Sequence, residues 1–218
     1  MKVVITGSSG MVGRGVLLEC LDSDLVEKVL IVNRKSIGLE HEKLKEIIVT
    51  DFFQLDSIVN EFEQYDACFF CLGISVLGLS EEAYTKITYD LTINFAKVFI
   101  EKNPESVFCY VSGAGTNSDG KSMWARVKGK TENVLLKMKF QNAYMFRPGY
   151  IQPMRGIKSS TSWYSIIYAI FSPLYHILKY FPATATSSIN VGKAMIRVAY
   201  EHPEMNFLGN KEINRQTD

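Results

Sequence analysis

The feature that most constrains the fold is a short apolar run that leads into three closely spaced glycines near the N-terminus. Residues 3–14 read VVITGSSGMVGR, with glycines at positions 7, 10 and 13. The apolar run is typical of a buried β-strand, and the residues from Met11 onward repeat apolar side chains at helical spacing. Glycine allows the main chain to turn where a side chain would not fit. The sequence therefore predicts a strand, a tight turn and a helix whose free N–H groups face the turn.

This turn is also a predicted phosphate site. A helix N-terminus carries partial positive charge and unpaired N–H donors, which can hold a pyrophosphate through main-chain groups alone. The implied ligand is a dinucleotide. The spacing G-x-x-G-x-x-G has one residue more in its first gap than the usual dinucleotide fingerprint, and a tight turn without a ligand is the alternative. The predicted contacts are Gly7, Ser9, Gly10, Met11, Val12 and Gly13.

Composition narrows the class of partner. The chain has 218 residues, with 24 basic and 23 acidic side chains, and no basic stretch interleaves with aromatic residues. This balance argues against nucleic acid and favours a small-molecule substrate. Met1 and Lys2 lead directly into the first strand, from which we expect no signal peptide and a cytoplasmic protein. The oligomeric state is not revealed, and a homodimer is compatible with the sequence.

Four cysteines, at positions 20, 68, 71 and 109, fall inside apolar segments. The pair Cys68 and Cys71 has the C-x-x-C spacing of redox or zinc motifs. On a strand, however, residues three apart point to opposite faces and lie roughly 10 Å from each other, beyond the reach of a disulfide. We expect buried thiols and no metal site.

Apolar segments of strand length alternate with segments of helical period along the first two thirds of the chain. Strands that are apolar throughout suit a parallel sheet covered on both faces. The predicted fold class is therefore α/β, a doubly wound parallel sheet of the Rossmann type. The predicted strands are Lys2–Thr6, Lys28–Asn33, Glu46–Thr50, Ala67–Leu72, Val107–Ser112 and Ala143–Arg147, and the predicted helices are Met11–Leu21, Leu55–Glu63, Glu81–Lys102 and Met123–Met138.

The alternation stops after Pro148. Residues Trp163–Phe181 are apolar and aromatic, and a last helix opens at Ser188, which is a plausible N-cap. The apolar run is long enough to span a bilayer, but a proline, a histidine and a lysine interrupt it. A pocket lid also needs an apolar underside. We expect one domain over residues 1–218, in which residues 150–187 form a small C-terminal substrate cap.

The end of the second strand indicates which dinucleotide is bound. NAD-binding folds usually carry an acidic residue about 20 positions past the glycines, where it bonds the ribose 2′-hydroxyl. Here the residues are Asn33, Arg34 and Lys35, with no carboxylate. Two cations suit a 2′-phosphate, although a solvated loop pair is the alternative. The sequence favours NADP over NAD, with Arg34 and Lys35 as the phosphate ligands.

Two further strand ends supply predicted cofactor contacts. Asp51 and Phe52 follow the third strand, where they would bond the adenine amine and shield its ring; an ordinary turn is the alternative. Leu72 and Gly73 follow the fourth strand. A glycine at that point lets the chain pass close to the adenosine ribose.

The chain resembles an atypical short-chain dehydrogenase/reductase and is most similar to the Tat-interacting oxidoreductase-like group. The matching motifs are TGSSGMVG, NRK, the CLG after strand four, Ser112, the helix with Lys128, the RPG at 147–149 and SINVGKAMIRVA. The resemblance implies an oxidoreductase that moves hydride to or from a nicotinamide. It implies that Ser112 holds the substrate carbonyl, that Lys128 bonds the nicotinamide ribose, and that Pro148 and Gly149 border the nicotinamide. The alternatives are that Ser112 is a strand-end hydroxyl bonded to the nearby turn, and that Lys128 forms an exposed helical pair with Glu132.

One position departs from the family. The tyrosine of its Tyr-x-x-x-Lys motif, which exchanges the proton, is replaced by Trp124. An indole N–H donates a hydrogen bond but does not titrate near neutral pH. A water held by Lys128, or another tyrosine, would have to act instead. Of Tyr84, Tyr110 and Tyr150 the last is preferred, because it follows the RPG loop. Two hypotheses remain: an NADP-dependent oxidoreductase acting on a small carbonyl or alcohol, and a non-catalytic NADP-binding sensor or regulatory module.

Overall fold

The computed structural model describes residues 1–157 and 183–217. Its strands are β1 (Lys2–Thr6), β2 (Lys28–Asn33), β3 (Leu44–Ile48), β4 (Ala67–Phe70), β5 (Val107–Val111), β6 (Asn142–Arg147), β7 (Tyr150–Gln152), β8 (Ala185–Ser187) and β9 (Phe207–Gly209). Seven of them form one sheet in the order β3-β2-β1-β4-β5-β6-β9, and all neighbours in it run parallel. Strands β7 and β8 pair separately, also in parallel.

Helices cover both faces of the large sheet. They are α1 (Met11–Asp22), α2 (Glu81–Thr85), α3 (Leu91–Lys102), α4 (Met123–Leu135), α5 (Ser188–Glu201) and α6 (Asn210–Arg215). Apolar side chains of α1 and α5 pack in one buried cluster, and those of α3 and α4 in another. Strand β1 contributes to both clusters, since Val3 and Ile5 belong to the first cluster and Val4 to the second. The predicted doubly wound Rossmann sheet is therefore confirmed.

Three predicted elements differ in the structure. The predicted helix Leu55–Glu63 is only a 3-10 turn, Val59–Phe62, because a short segment can bury its apolar side chains without closing a full helix. The third strand runs over Leu44–Ile48, two residues earlier than the predicted Glu46–Thr50, because its register follows β2. The predicted helix Glu81–Lys102 is interrupted by a π-helical stretch, Lys86–Asp90.

The C-terminal part contains elements that the sequence did not predict: β7, β8, β9 and α6. The last predicted helix does begin at Ser188, but its cap is Ser187, whose Oγ accepts a hydrogen bond from the Asn190 amide at 3.1 Å. The expectation that Ser188 is the cap is therefore wrong by one residue. The apolar run at 163–181 lies outside the described residues, and the substrate cap stays a prediction. No helix in the described ranges is long and apolar enough to cross a bilayer.

The four cysteines are free thiols, as expected. Cys20, Cys68 and Cys109 are buried, whereas Cys71 lies one residue beyond β4 and is partly exposed. Burial raises the pKa of all four thiols above its ordinary value. Among the described residues, no group of three or more His, Cys, Asp or Glu side chains is placed to hold a metal ion.

Candidate functional site

The glycine turn closes tightly against the main chain. Gly7 has a φ of +70°, and a Cβ atom there would lie 2.7 Å from the carbonyl carbon of Cys71 and the amide of Leu72. At Gly13 a Cβ atom would lie 2.2 Å from the carbonyl oxygen of Gly7. Since β1 and β4 are neighbours at the point where strand order reverses, the turn sits in the crevice where such sheets bind ligands.

The helix after this turn has an open N-terminus. Gly10 occupies the N-cap position, no side-chain hydrogen bond caps α1 in the described part of the chain, and its first turn contains no acidic residue. The Gly10 amide is used within the turn, donating to the Gly7 oxygen at 2.9 Å. Ser9 is exposed, and Met11 and Val12 are partly exposed. An uncapped, electropositive helix end beside a glycine turn fits a phosphate.

The loop after β2 presents its two cations outward. Arg34 and Lys35 are exposed. Asn33, in contrast, is only 3% exposed, and its side-chain oxygen accepts a hydrogen bond from Ser8 Oγ at 2.9 Å. The position at which NAD-binding folds place an acid is therefore filled by an amide that faces into the protein.

At the end of the third strand, the exposed aromatic ring is not the predicted one. Asp51 is exposed, and its carboxylate accepts a hydrogen bond from the Phe53 amide at 2.9 Å. Phe52 is 4% exposed and stacks on Phe95, so its ring belongs to the core. The exposed ring is that of Phe53, with the Lys86 ammonium 5.8 Å from its centroid.

After β4 the chain passes the glycine turn and then opens. The Leu72 amide donates to Thr6 Oγ1 at 3.4 Å, which seats this loop on the end of β1. A Cβ atom at Gly73 would meet no atom within 4 Å. Gly73 therefore faces open space.

Ser112 follows β5 and is tied to Thr116, a residue that the sequence did not single out. Their hydroxyl oxygens lie 2.8 Å apart, and Thr116 donates its hydroxyl to the Gly113 oxygen at 2.8 Å. Because a hydroxyl has one proton, Ser112 is the donor of the pair. Ser112 must therefore turn its O–H away from Thr116 before it can bond a substrate oxygen.

Lys128 points to the same strand end. Its ammonium donates to the main-chain oxygens of Val111 and Ser112, at 3.1 and 3.0 Å, and lies 5.6 Å from the ring centroid of Tyr110. Burial lowers its pKa to about 8, while the nearby Glu132 opposes this shift. One of its three N–H groups has no hydrogen-bond partner among the described residues. Lys128 is thus anchored with a donor to spare.

Trp124 stands one helical turn before Lys128 and covers the loop after β5. A Cβ atom at Gly113 would lie 3.7 Å from Trp124 Cζ3, and one at Gly115 would lie 3.6 Å from its Cη2. The indole ring is half-buried. The structure therefore brings Ser112, Trp124 and Lys128 to one strand end, with the indole beside the serine loop.

An ion pair supports the RPG loop, and in it Glu132 is buried whereas the Arg147 side chain is partly exposed. Glu132, 1% exposed, accepts two hydrogen bonds from Arg147: from Nε at 3.0 Å and from Nη2 at 2.5 Å. Beyond it, the Pro148 oxygen accepts from the Ala114 amide at 2.9 Å, and the Gly149 amide donates to Asn210 Oδ1 at 3.1 Å. Thr116 and Asn210 were missed because no motif marks them, and Glu132, which entered only as an exposed partner of Lys128, is buried and paired with Arg147 instead. The sequence signal for Glu132 was a charged residue on the face of α4 that carries the buried side chains.

The three candidate tyrosines fall into two groups. Tyr84 is 2% and Tyr110 is 1% exposed, and burial raises the pKa of Tyr110 above its ordinary value. Tyr150 is partly exposed, and its hydroxyl donates to Gln152 Oε1 at 2.7 Å. Only Tyr150 of the three can meet a solvent-borne substrate without rearrangement of the core, and its role stays a prediction.

Comparison with known proteins identifies the family. A sequence model described as the NAD dependent epimerase/dehydratase family matches residues 3–141. Protein HTATIP2 of Rattus norvegicus is 27% identical over 152 residues, which cover 69% of this chain and 62% of the rat protein. The mitochondrial protein FMP52 of Meyerozyma guilliermondii is 23% identical over 222 residues, covering 99% of this chain and 94% of its own.

Solved structures share the fold at low identity. A short-chain dehydrogenase from Burkholderia cenocepacia, crystallised with NADP, aligns with a TM-score of 0.66 at 13% identity, covering 98% of this chain and 91% of its own. MoeE5, crystallised with UDP-glucose and NAD, aligns with a TM-score of 0.67 at 15% identity, covering 96% and 75%. The shared fold thus accommodates either nucleotide.

The expectation of a cytoplasmic protein is wrong. FMP52 relatives from Meyerozyma guilliermondii, Debaryomyces hansenii and Saccharomyces cerevisiae are all named as mitochondrial. The expectation rested on how soon the first strand begins, and the start of a strand fixes where folded structure starts without specifying a compartment.

Proposed function

Because this chain belongs to the NAD dependent epimerase/dehydratase family, we propose that it is an NADP-dependent oxidoreductase acting on a small carbonyl or alcohol. One observation carries the proposal: the glycine turn, packed against the main chain of the β4 loop, opens onto an uncapped helix end at the strand-order reversal. Ser112 and Lys128 lie at the end of β5, two strands away from β1 on the same edge of the sheet. A dinucleotide spans such an edge from its phosphates to its nicotinamide.

The preference for NADP rests on the β2 loop. Arg34 and Lys35 are exposed there, and Asn33 is turned inward toward Ser8. No carboxylate stands at positions 33–35 to bond a ribose 2′-hydroxyl or to repel a 2′-phosphate. A guanidinium fork matches phosphate oxygens in geometry as well as charge.

The residues at the end of β5 have distinct parts in the proposed reaction. Bound NADPH supplies the hydride. Lys128 offers its spare N–H to the nicotinamide ribose, and Ser112 rotates its hydroxyl from Thr116 to the substrate oxygen. Trp124 can donate a hydrogen bond but no proton, so the proton comes from a water near Lys128 or from Tyr150.

Calorimetric titration tests the cofactor assignment. We expect NADPH to bind at least tenfold more tightly than NADH, and the double substitution Arg34→Ala and Lys35→Ala to remove most of that preference. Lys28→Ala, at the opposite end of the same strand, is the matched control. Equal affinities would refute the role of the loop cations, and failure to bind either nucleotide would refute the proposed function as a whole.

Turnover is tested separately, by following NADPH oxidation on a panel of small aldehydes and ketones. We expect Ser112→Ala to lower kcat/KM on any accepted substrate by about 100-fold, because one oriented donor to a reacting oxygen is lost. Ser57→Ala, at an exposed position away from the site, serves as the control. Undiminished activity in Ser112→Ala would remove the serine from the mechanism.

A second function is favoured by Trp124, namely a non-catalytic module that binds NADP and senses its redox state or regulates a partner. The indole stands at the position of the family's proton donor and lies over the loop that follows Ser112. In this case the native protein binds NADPH but oxidises none of it, and Trp124→Tyr gains activity by about 100-fold or more over that background. A native protein that turns over substrate, and loses activity in Trp124→Tyr, would exclude the module.

A further inference from the structure

Glu46 reaches from β3 under the loop that carries the proposed phosphate ligands. Its carboxylate accepts three hydrogen bonds: from Asn33 Nδ2 at 2.9 Å, from Ser36 Oγ at 2.5 Å and from the Ile37 amide at 3.1 Å. Ser36 Oγ in turn accepts from the Gly38 amide at 3.1 Å. The two ends of the segment that carries Arg34 and Lys35 are therefore fastened to one carboxylate.

Asn33 connects this carboxylate to the glycine turn. Its Oδ1 accepts from Ser8 Oγ and its Nδ2 donates to Glu46, so the amide needs both of its ends. Glu46 fixes the orientation, because a flipped amide would point its oxygen at the carboxylate. Side-chain hydrogen bonds therefore connect the glycine turn to the β2 loop through Ser8, Asn33, Glu46 and Ser36.

The same contact explains why position 33 carries no acid. An aspartate there would place its carboxylate within about 3 Å of Glu46, and two such carboxylates cannot both ionise without strong repulsion. Burial alone would raise the pKa of Glu46, but the hydrogen bonds from Ser36, Asn33 and Ile37 outweigh it and lower that pKa. Glu46 therefore stays ionised at neutral pH.

We propose that Glu46 determines nucleotide preference: it holds the loop of Arg34 and Lys35 in place for a 2′-phosphate and excludes an acid from position 33. This rests on the proposed NADP binding. Glu46 is a positioning residue, since three donors occupy its carboxylate and it acts through the loop. A residue that served stability alone would affect the binding of NADPH and NADH equally.

The first test measures dissociation constants for NADPH and NADH by calorimetry in the full chain. Glu46→Ala releases the loop, and we expect the NADPH preference to fall about tenfold, mainly through weaker NADPH binding. Glu42→Ala removes the same charge from an exposed position four residues earlier, and we expect it to keep the wild-type preference. A Glu46→Ala preference within twofold of wild type would overturn the proposal.

The second test does not depend on the folding of Glu46→Ala. We expect Asn33→Asp alone to lower the urea midpoint and to weaken both nucleotides, because two carboxylates then face each other. Adding Glu46→Gln supplies an amide donor to the new carboxylate at position 33, so we expect the double variant to regain stability and to show a smaller preference for NADPH than wild type. If Asn33→Asp is as stable as the double variant, Glu46 does not exclude the acid and the proposal is wrong.

The outcomes separate this inference from the function on which it rests. Wild-type protein that binds neither nucleotide overturns the proposed function and this inference together. Wild-type protein that prefers NADPH, with a preference that Glu46→Ala does not change and no rescue in the double variant, overturns the inference alone.

Discussion

Two sides of the site are built by different means: the proposed pyrophosphate side, around Gly7 and Gly13, and the proposed reaction side, around Ser112 and Lys128. Around Gly7 and Gly13 the contacts are main chain against main chain, and a single added Cβ atom would come within 2.2 to 2.7 Å of backbone. Around Ser112 and Lys128 the contacts are side-chain hydrogen bonds to hydroxyls and carbonyls. The first side is therefore defined by the shape of the main chain, and the second by the hydrogen-bonding groups of its side chains. Trp124 lies on the second side, at the position where the family carries its tyrosine.

The largest effect on stability and on NADPH binding should come from adding a side chain inside the glycine turn. Gly13→Ala drives a Cβ into the Gly7 carbonyl, which is backbone and cannot move aside alone. We expect a loss of unfolding free energy of about 3 kcal/mol, at the upper end for an overpacked site, and loss of detectable NADPH binding. Urea denaturation and calorimetry measure the two quantities.

Gly73→Ala is the matched control for that substitution. A Cβ at Gly73 meets no atom within 4 Å, so the unfolding free energy should stay unchanged. NADPH binding should nevertheless weaken, because the proposed ribose path runs beside it. Wild-type stability in Gly13→Ala would contradict the claim that shape alone defines this side.

The next largest effect lies under the reaction side, at the pair of Glu132 and Arg147. Glu132→Ala leaves the partly exposed Arg147 guanidinium without its bidentate partner, and we expect a loss of about 2 kcal/mol in unfolding free energy, in the range for hydrogen bonds to a charged group. Glu63→Ala breaks the exposed pair with Lys102 and should cost less than about 1 kcal/mol. Equal losses in the two variants would show that burial does not distinguish these pairs.

Sequence predicted the pyrophosphate side better than the reaction side, and the contrast above explains why. A glycine turn between an apolar strand and a helix is local, so residues 3–14 carry it almost completely. The links of Ser112 to Thr116 and of Lys128 to the end of β5 depend on side-chain rotamers and loop closure. Sequence spacing gives the neighbours of a residue on its own helix but not its partners across the sheet.

The same limit applies to the fold. The six longer strands of the sheet were predicted from their apolar runs, and β3, which Lys45 and Glu46 interrupt, is the one that was displaced. Strands β7, β8 and β9 have three residues each, too few to show a period. The segment 55–63 has helical spacing, yet its apolar side chains reach the core from turns. The ring of Phe52 was assigned to the cofactor because packing against Phe95 could not be read from the sequence.

A smaller effect is expected at Lys128, and it tests whether chemistry on the reaction side also contributes to binding. Lys128→Met keeps the length of the side chain but removes its donors, so we expect NADPH affinity to fall about tenfold. Lys130→Met, on the exposed face of the same helix, should leave the affinity unchanged. Equal affinities in the two variants would mean that Lys128 only braces the β5 loop.

The smallest predicted effect, a few-fold change in affinity with pH, distinguishes the charge of Lys128 from its shape. Its pKa of about 8 means that the free protein carries an ammonium at pH 7 and largely an amine at pH 9. NADPH favours the ammonium, so its affinity should fall as pH rises through 8, and Lys128→Met should flatten that dependence. The 2′-phosphate, with a pKa near about 6, does not titrate in this window.

Folding stability should move the other way over the same range. The unfolded chain holds the Lys128 proton more tightly than the folded one, so between about pH 8 and 10.5 the unfolded state binds more protons and stability rises with pH. Urea titrations of wild type and Lys128→Met at pH 7, 8 and 9 measure this contribution as their difference. An affinity and a stability that change in the same direction would place the titrating group elsewhere. The reaction side would then resemble the pyrophosphate side, because no charged side chain on it would contribute to NADPH binding.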